Sequence, residues 1–312
     1  MPTRKSPRKG SLQFWPRKRA SRVLPRVNWN SIPGKKSLKG FICYKAGMRS
    51  AIVKNNTPNS MTKDKKIAIP CTIFECPPMK IFSVRFYKNG KVTQDILAEN
   101  LDKELKKKVK LPKKSRKKIE DIKDYDDIHL IFYSVIKKTG LKKKPNLLEI
   151  GLVGNLDEKL NFIKENFNKE ISINQVFEKG QLVDFRGLTK GKGFQGPVKR
   201  FGVTLRNHKS EKGRRGPGSI GPWHPARVTF RVPMAGQLGM FTRIIYNNKI
   251  IDIGESSNKP IKNLKNFGDL KTDYLIVNGS IQGPAKRALI ATSPLRESKK
   301  QSKKNYELVE LR

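Results

Sequence analysis

The chain reads as a mainly β protein with an α/β insertion: a discontinuous β-barrel carrying long basic, non-globular extensions. Three observations predict this. Short runs rich in β-branched and aromatic residues, bounded by turn signals, occur before residue 90 and return after residue 176. Between them the pattern turns helical and holds fifteen of the 26 acidic residues. Two stretches, 1–40 and 186–231, are dense in Lys, Arg, Gly and Pro and lack hydrophobic periodicity. The organisation expected is a basic N-terminal arm (1–40), a first barrel part (41–80) and an α/β insertion (81–178). A second barrel part (179–185 and 232–295), a basic extension (186–231) and a charged tail (296–312) complete it.

The arm has no carboxylate and twelve Lys or Arg, among them Arg4, Lys5, Arg8, Lys9, Arg17, Lys18, Arg19 and Arg22, with five Pro between them. Such a segment buries too little apolar surface to fold alone and is expected to be disordered until bound. Phe14, Trp15 and Trp29 sit among the charges, as stacking groups would in an RNA-bound arm; a bare solubilising tail has little use for them.

Phe41 to Val53 and Ile67 to Phe74 read as strands, and Lys80 to Tyr87 as a third that turns at Asn89-Gly90. Ile96, Leu97, Leu101, Leu105 and Val109 keep helical spacing, and Asp157 can cap a second helix through Leu160, Ile163, Phe167 and Ile171. His129 to Ile136 and Leu147 to Val153 are expected as strands between those helices. Later strands are expected at Gln181 to Phe185, Val228 to Val232, Phe241 to Asn247, Lys249 to Ile253, Asp273 to Val277 and Ala288 to Thr292. Asn247-Asn248 is expected as a tight turn, and the tail from Arg296 as frayed. Strands on both sides of the insertion favour one barrel over two serial domains.

Residues 186–231 hold twelve Lys or Arg, nine Gly and one acid, Glu211. A structureless loop of this length inside a compact domain is either functional or disordered. Glycines let backbone approach phosphates, and the cations neutralise them: Arg186, Lys190, Lys192, Lys199, Arg200, Arg206, Lys212, Arg214, Arg215 and Arg227, with His208 beside them. Phe194, Phe201 and Trp223 offer faces for unpaired bases, and His224 adjoins Trp223.

The balance of 68 Lys+Arg against 26 Asp+Glu gives a formal net charge of +42, which calls for a polyanionic partner. Nucleic acid fits; a membrane fits poorly, because the longest apolar run, Leu130 to Ile136, falls far short of the ~20 residues of a spanning helix. Met-Pro-Thr-Arg-Lys is followed by no apolar core, so no secretory signal is expected. Cys43, Cys71 and Cys76 lack paired zinc spacing and read as reduced thiols of a cytoplasmic protein. Gly191 to Gly196 fits G-x-G-x-x-G, but Pro197 follows at once and no helical pattern begins there. His129 reads as a satisfied core residue, and His208 and His224 have no nearby carboxylate or cysteine. No metal, cofactor, catalytic residue, membrane contact or homo-oligomer is expected. A DNA-binding protein of nucleoid or chromatin type is the competing reading, and an RNA-modifying enzyme would need a nucleophile or cofactor site that is not found.

Several stretches together resemble the universal large-subunit ribosomal protein L3 family, in its archaeal and eukaryotic branch. They are residues 10–19 (Gly-Ser-Leu-Gln-Phe-Trp-Pro-Arg-Lys-Arg), 187–202, 216–221, Trp223-His-Pro-Ala-Arg227, 234–240 and 277–284, in the family's order. The resemblance implies a translation-protein-type barrel whose extension runs inward through ribosomal RNA. It places Trp223 at the tip, close to the peptidyl transferase centre. It implies large-subunit rRNA and neighbouring ribosomal proteins as partners, a role in subunit assembly, and no peptide-bond chemistry. The insertion carries none of the quoted motifs.

Overall fold

The computed structural model describes residues 7–34, 36–112, 119, 122 and 124–312. Its strands and helices in chain order are β1 (Gly40–Asn55), β2 (Lys66–Glu75), β3 (Met79–Lys88), β4 (Lys91–Leu97), β5 (Asp127–Ser134), β6 (Leu147–Gly151), α1 (Leu156–Asn166) and β7 (Leu182–Leu188). Then come β8 (Phe194–Gln195), α2 (Pro197–Phe201), β9 (Gly236–Gln237), β10 (Thr242–Gly254), β11 (Tyr274–Asn278), β12 (Ala288–Thr292), α3 (Lys299–Ser302) and β13 (Tyr306–Leu311). The chain forms two compact units: a larger one from Leu24–Gly187 with Arg243–Arg312, and a smaller one from the segment ending at Val23 with Leu188–Thr242.

In the larger unit six strands close on themselves in the order β12-β7-β10-β11-β2-β1, because β1 pairs back to β12 from Gly40↔Thr292 to Tyr44↔Ala288. The barrel is therefore discontinuous, its strands drawn from both sides of the insertion. Closure needs a long β1: its first residues meet β12, its middle meets β2, and Ala51 to Asn55 meet β13. With no free edge among the six, the ladder offers no template for edge pairing. All seven positions of β7 are buried, and Phe74 of β2 stacks on Phe185 of β7 with ring centroids 4.6 Å apart.

The insertion is a four-stranded antiparallel sheet, β4-β3-β5-β6, with α1 against it. Its core and the barrel's are continuous: Phe86, Leu130, Ile150 and Ile163 belong to one buried cluster with Phe41, Phe185 and Leu289. The start of α1 is fixed by Asn155, whose N–H donates to Glu158 Oε2 at 3.3 Å, two residues before the expected cap at Asp157. Ile171 leaves the helix and exchanges backbone hydrogen bonds with Met79 (2.8 and 3.0 Å).

Five expectations are corrected here. The segment 96–109 is not an α-helix: the Asn89-Gly90 turn launches β4 through Leu97 against β3, and only a 3-10 turn, Lys103–Lys107, follows. Val228 to Val232 forms no strand; it turns, with the Val232 N–H bonded to Thr229 O at 3.2 Å. Asn247-Asn248 makes no hairpin, because β10 runs through it. Asn247 takes φ 56°, a left-handed corner that Asn tolerates, and its N–H donates to Asp184 Oδ1 at 2.8 Å. The tail is not frayed, since Tyr306–Leu311 is β13 on β1. Nor are residues 24–34 and 36–39 an unpacked arm: Leu24, Trp29, Ile32 and Leu38 enter the main core. Trp29, 4 % exposed, lies where a Cβ on Gly40 or Gly151 would stand 2.9 or 2.6 Å from it, so it is a core residue and not a stacking group.

Candidate nucleic-acid interface

The smaller unit has almost no apolar interior. Six Lys or Arg of its N-terminal stretch from residue 7 and eleven of Leu188–Thr242 face a single carboxylate, Glu211. It is held by a stem and a clamp. In the stem the two limbs of the extension run antiparallel: Thr189 N–H to Phe241 O (3.0 Å), Lys192 N–H to Leu238 O (3.0 Å), then β8 on β9. Gly239 is required there, since its φ is +77° and a Cβ would fall 1.9 Å from Lys190 O.

The clamp joins the arm to the extension. Phe201, buried at the end of α2, packs against Trp15 (centroids 6.0 Å apart), and the Arg17 guanidinium lies 4.2 Å from the Phe201 ring centroid. Arg200 spends three donors on backbone: Nε to Gln237 O (3.0 Å), Nη1 to Met234 O (2.9 Å) and Nη2 to Arg17 O (3.1 Å). Arg17 Nη1 returns a bond to Arg200 O at 2.9 Å, and its Nη2 bonds Ser11 O at 3.0 Å. Trp15 also touches Phe230 at 5.7 Å, and the Ala20 N–H bonds Met240 O at 3.0 Å. Gly202, at φ 69°, ends α2 and turns the chain toward the distal loop.

The residues expected to meet nucleic acid therefore fall into groups. Lys190, Lys192, Phe194, Lys199, His208, Lys212, Arg214, Arg215, Trp223, His224 and Arg227 are exposed on the smaller unit, as are Lys18, Arg19 and Arg22 of the arm. Trp223 is 86 % exposed and Phe194 77 %. Arg206, half-buried, bonds through its backbone N–H to Arg214 O at 3.0 Å and stays with them; Lys9 is likewise half-buried. Arg17, Arg200 and Trp15 form the clamp. Arg8 is half-buried, and its Nε and Nη2 are shielded and meet no acceptor among the described residues. Arg186 is set apart: it is buried in β7 of the larger unit, where Nε donates to Thr292 Oγ1 at 3.4 Å and burial lowers its pKa. Arg4 and Lys5 lie outside the described residues.

From Gly202 to Ala235 the extension has neither helix nor strand, yet it displays Leu205, Ile220, Trp223, Val228 and Phe230 to solvent between its cations. These exposed apolar groups and cations share one loop of the smaller unit. Sequence reasoning missed the clamp's role for Phe201 with Arg200 and Arg17, and missed Ile220 and Phe230 as exposed apolar groups. The Arg-Phe-Gly run at 200–202 was the available signal, an aromatic flanked by a cation and a helix-ending glycine. Among the described residues no group of His, Cys, Asp and Glu could hold a metal, and no helix is long and apolar enough to cross a membrane. Cys43, Cys71 and Cys76 are buried and free.

Comparison with known proteins places this arrangement in a lineage. The family model for ribosomal protein L3 matches residues 1–312. The large ribosomal subunit protein uL3 of Methanocaldococcus jannaschii is 41 % identical over 306 residues, 93 % of this chain and 91 % of that protein. The uL3 proteins of Methanococcus aeolicus (39 %, 94 % of this chain and 92 % of that one) and Archaeoglobus fulgidus (38 %, 94 % and 93 %) are similar in the same way. A match that spans barrel, insertion, stem and clamp alike means that the chain belongs to the ribosomal protein L3 family.

Proposed function

We propose that this chain is a structural constituent of the large ribosomal subunit that binds large-subunit rRNA through its smaller unit and supports assembly. The extension carries Trp223 toward the peptidyl transferase centre, and neighbouring ribosomal proteins complete its surroundings in the cytoplasmic ribosome. The observation that supports this best is the smaller unit itself, with seventeen Lys or Arg among its described residues against Glu211, and exposed aromatics on a loop without secondary structure. Phosphates would neutralise the cations with release of counterions, and Phe194 and Trp223 offer faces for bases. The clamp already orders the arm against the extension, so the ordering that remains for binding is concentrated in residues 203–235.

Sedimentation of cell extract on a sucrose gradient after a high-salt wash, with detection of this chain, tests the reading. Stoichiometric retention in large subunits is expected. Release to the top of the gradient, or recovery with DNA, would overturn it in favour of a DNA-binding protein.

A further inference from the structure

We propose that the larger unit carries a second phosphodiester-binding surface, formed where Lys106, Lys107 and Lys108 of the insertion meet Lys142, Lys143 and Lys144. It rests on the rRNA reading above and gives the insertion a share in it. Leu105 is fully buried against Phe82 and Tyr133, and Val109, Leu111 and Leu147 pack on the same cluster. This pins the 3-10 turn to the sheet with Lys106, Lys107 and Lys108 exposed. Leu147 opens β6, so the exposed run 142–144 leads into that same cluster.

Barrel residues meet the patch from a third direction. Lys142 Nζ lies 5.2 Å from the Tyr44 ring centroid and donates to Asn146 Oδ1, which also accepts the Tyr44 hydroxyl at 2.9 Å. Next to Tyr44, the Lys45 N–H bonds Arg287 O at 2.9 Å. Three segments far apart in sequence thus gather positive charge at one place.

Of the carboxylates near these lysines, Glu104 stands in the same 3-10 turn as one negative charge against the six, and two others are engaged elsewhere. Asp102 accepts the Tyr133 hydroxyl at 2.8 Å and pairs with Lys80 at 3.6 Å, and Glu170 pairs with Lys138 at 2.5 Å. Although Lys142 as a residue is exposed, its Nζ is covered by Asn146 and the Tyr44 ring; that desolvation first, and then Lys108 and Arg287 beside it, lower its pKa to about 8. An anion at the patch would relieve that repulsion. The occupant is RNA backbone in preference to an acidic protein. Among the described residues, none of the exposed large hydrophobics falls within 101–112 or 137–147. A protein interface is built on an apolar or aromatic core, whereas phosphate binding needs only charge.

The test measures affinity of the full chain for its large-subunit rRNA across a salt series. It compares wild type, the sixfold variant K106A/K107A/K108A/K142A/K143A/K144A, its Lys→Arg counterpart, and R214A/R215A in the extension. The sixfold Ala variant should lower the magnitude of the log–log salt slope by roughly 2–4, at about 0.7 for each phosphate left unneutralised. The Lys→Arg counterpart should keep the wild-type slope, which a fold defect at these positions would not explain. An unchanged slope in the sixfold Ala variant, with a reduced slope in R214A/R215A, would overturn this inference and leave the rRNA reading standing. If that variant instead lost only an acidic protein partner, the surface would be a protein interface. If wild type itself bound rRNA without salt dependence, the reading on which this rests would fall first.

Discussion

Arg200 gives the most direct handle on how the smaller unit is built. Arg200→Met keeps an unbranched apolar chain and removes the guanidinium, with its 5.1 Å approach to the Phe201 ring centroid, leaving Gln237 O, Met234 O and Arg17 O without their donor. Two of these bonds are half-buried and the Met234 bond is exposed, so about 1 kcal/mol for each of the first two gives about 2 kcal/mol in all. At ~1.4 kcal/mol per tenfold, local opening should become about 30-fold more frequent. Amide hydrogen exchange in the free protein reads this at Ala20, whose N–H bonds Met240 O, and at Lys192, whose N–H bonds Leu238 O. Protection there should fall about 30-fold, while the amides of Phe41 to Tyr44 in the barrel keep theirs. A change under about threefold at Ala20, or an equal loss in β1, would refute the clamp as an independent lock.

Trp29→Ala should cost about 3–5 kcal/mol in thermal unfolding, because a buried indole is removed from the main core. Trp223→Ala should alter stability by less than about 0.5 kcal/mol and leave subunit assembly intact, while tRNA selection or peptidyl transfer by the assembled ribosome is perturbed. The insertion should be pH-sensitive through His129, which is held 2.9 Å from Glu149 Oε1 and 3.4 Å from Asp127 Oδ2. Burial lowers the His129 pKa, but those two carboxylates raise it further, so the net shift is upward. Its stabilising contribution is complete below its unfolded value of ~6.5 and is lost as pH rises through the raised folded value. Burial pushes Glu149 up, yet His129, Tyr87 and Arg85 bring it down to about 2, and Asp127 is lowered in the same sense, so their contribution is lost only in strong acid. Melting curves should therefore show wild type less stable at pH 9 than at pH 6, and His129→Gln should flatten that difference.

The barrel strands were legible where burial is two-sided: Phe41 to Ala46 and Ala288 to Thr292 are buried at every position and, Lys45 and Thr292 apart, carry apolar or aromatic side chains, so bulk alone marks them. The insertion's first helix was misread because Ile96, Leu105 and Val109 carry helical spacing by coincidence of two structures. Ile96 points inward from a strand that a tight turn starts, and Leu105 and Val109 pin a 3-10 turn. Trp29 was misassigned because it lies between Asn28 and Asn30 in a segment that is basic as a whole, and local composition carries no information about a core assembled from Gly40 and Gly151. The same limit applies to Arg200 and Arg186. Both look like phosphate ligands in a basic run, yet one is spent on carbonyls and the other lies inside a strand. The exposed loop around Trp223 was legible, because glycine and cation density without periodicity reports the absence of a fold.

Barrel closure also sets a timetable for synthesis. Gly40 cannot meet Thr292 until about 250 further residues have been polymerised, some 12–50 s at ~5–20 residues per second. Throughout that interval β1 has β2 on one flank and an empty flank on the other, while the hairpin of β3 and β4 can form as soon as it emerges. For those tens of seconds a nascent chain of this topology is a half-built sheet trailing unneutralised cations, a state that is slow to resolve and open to the wrong polyanion.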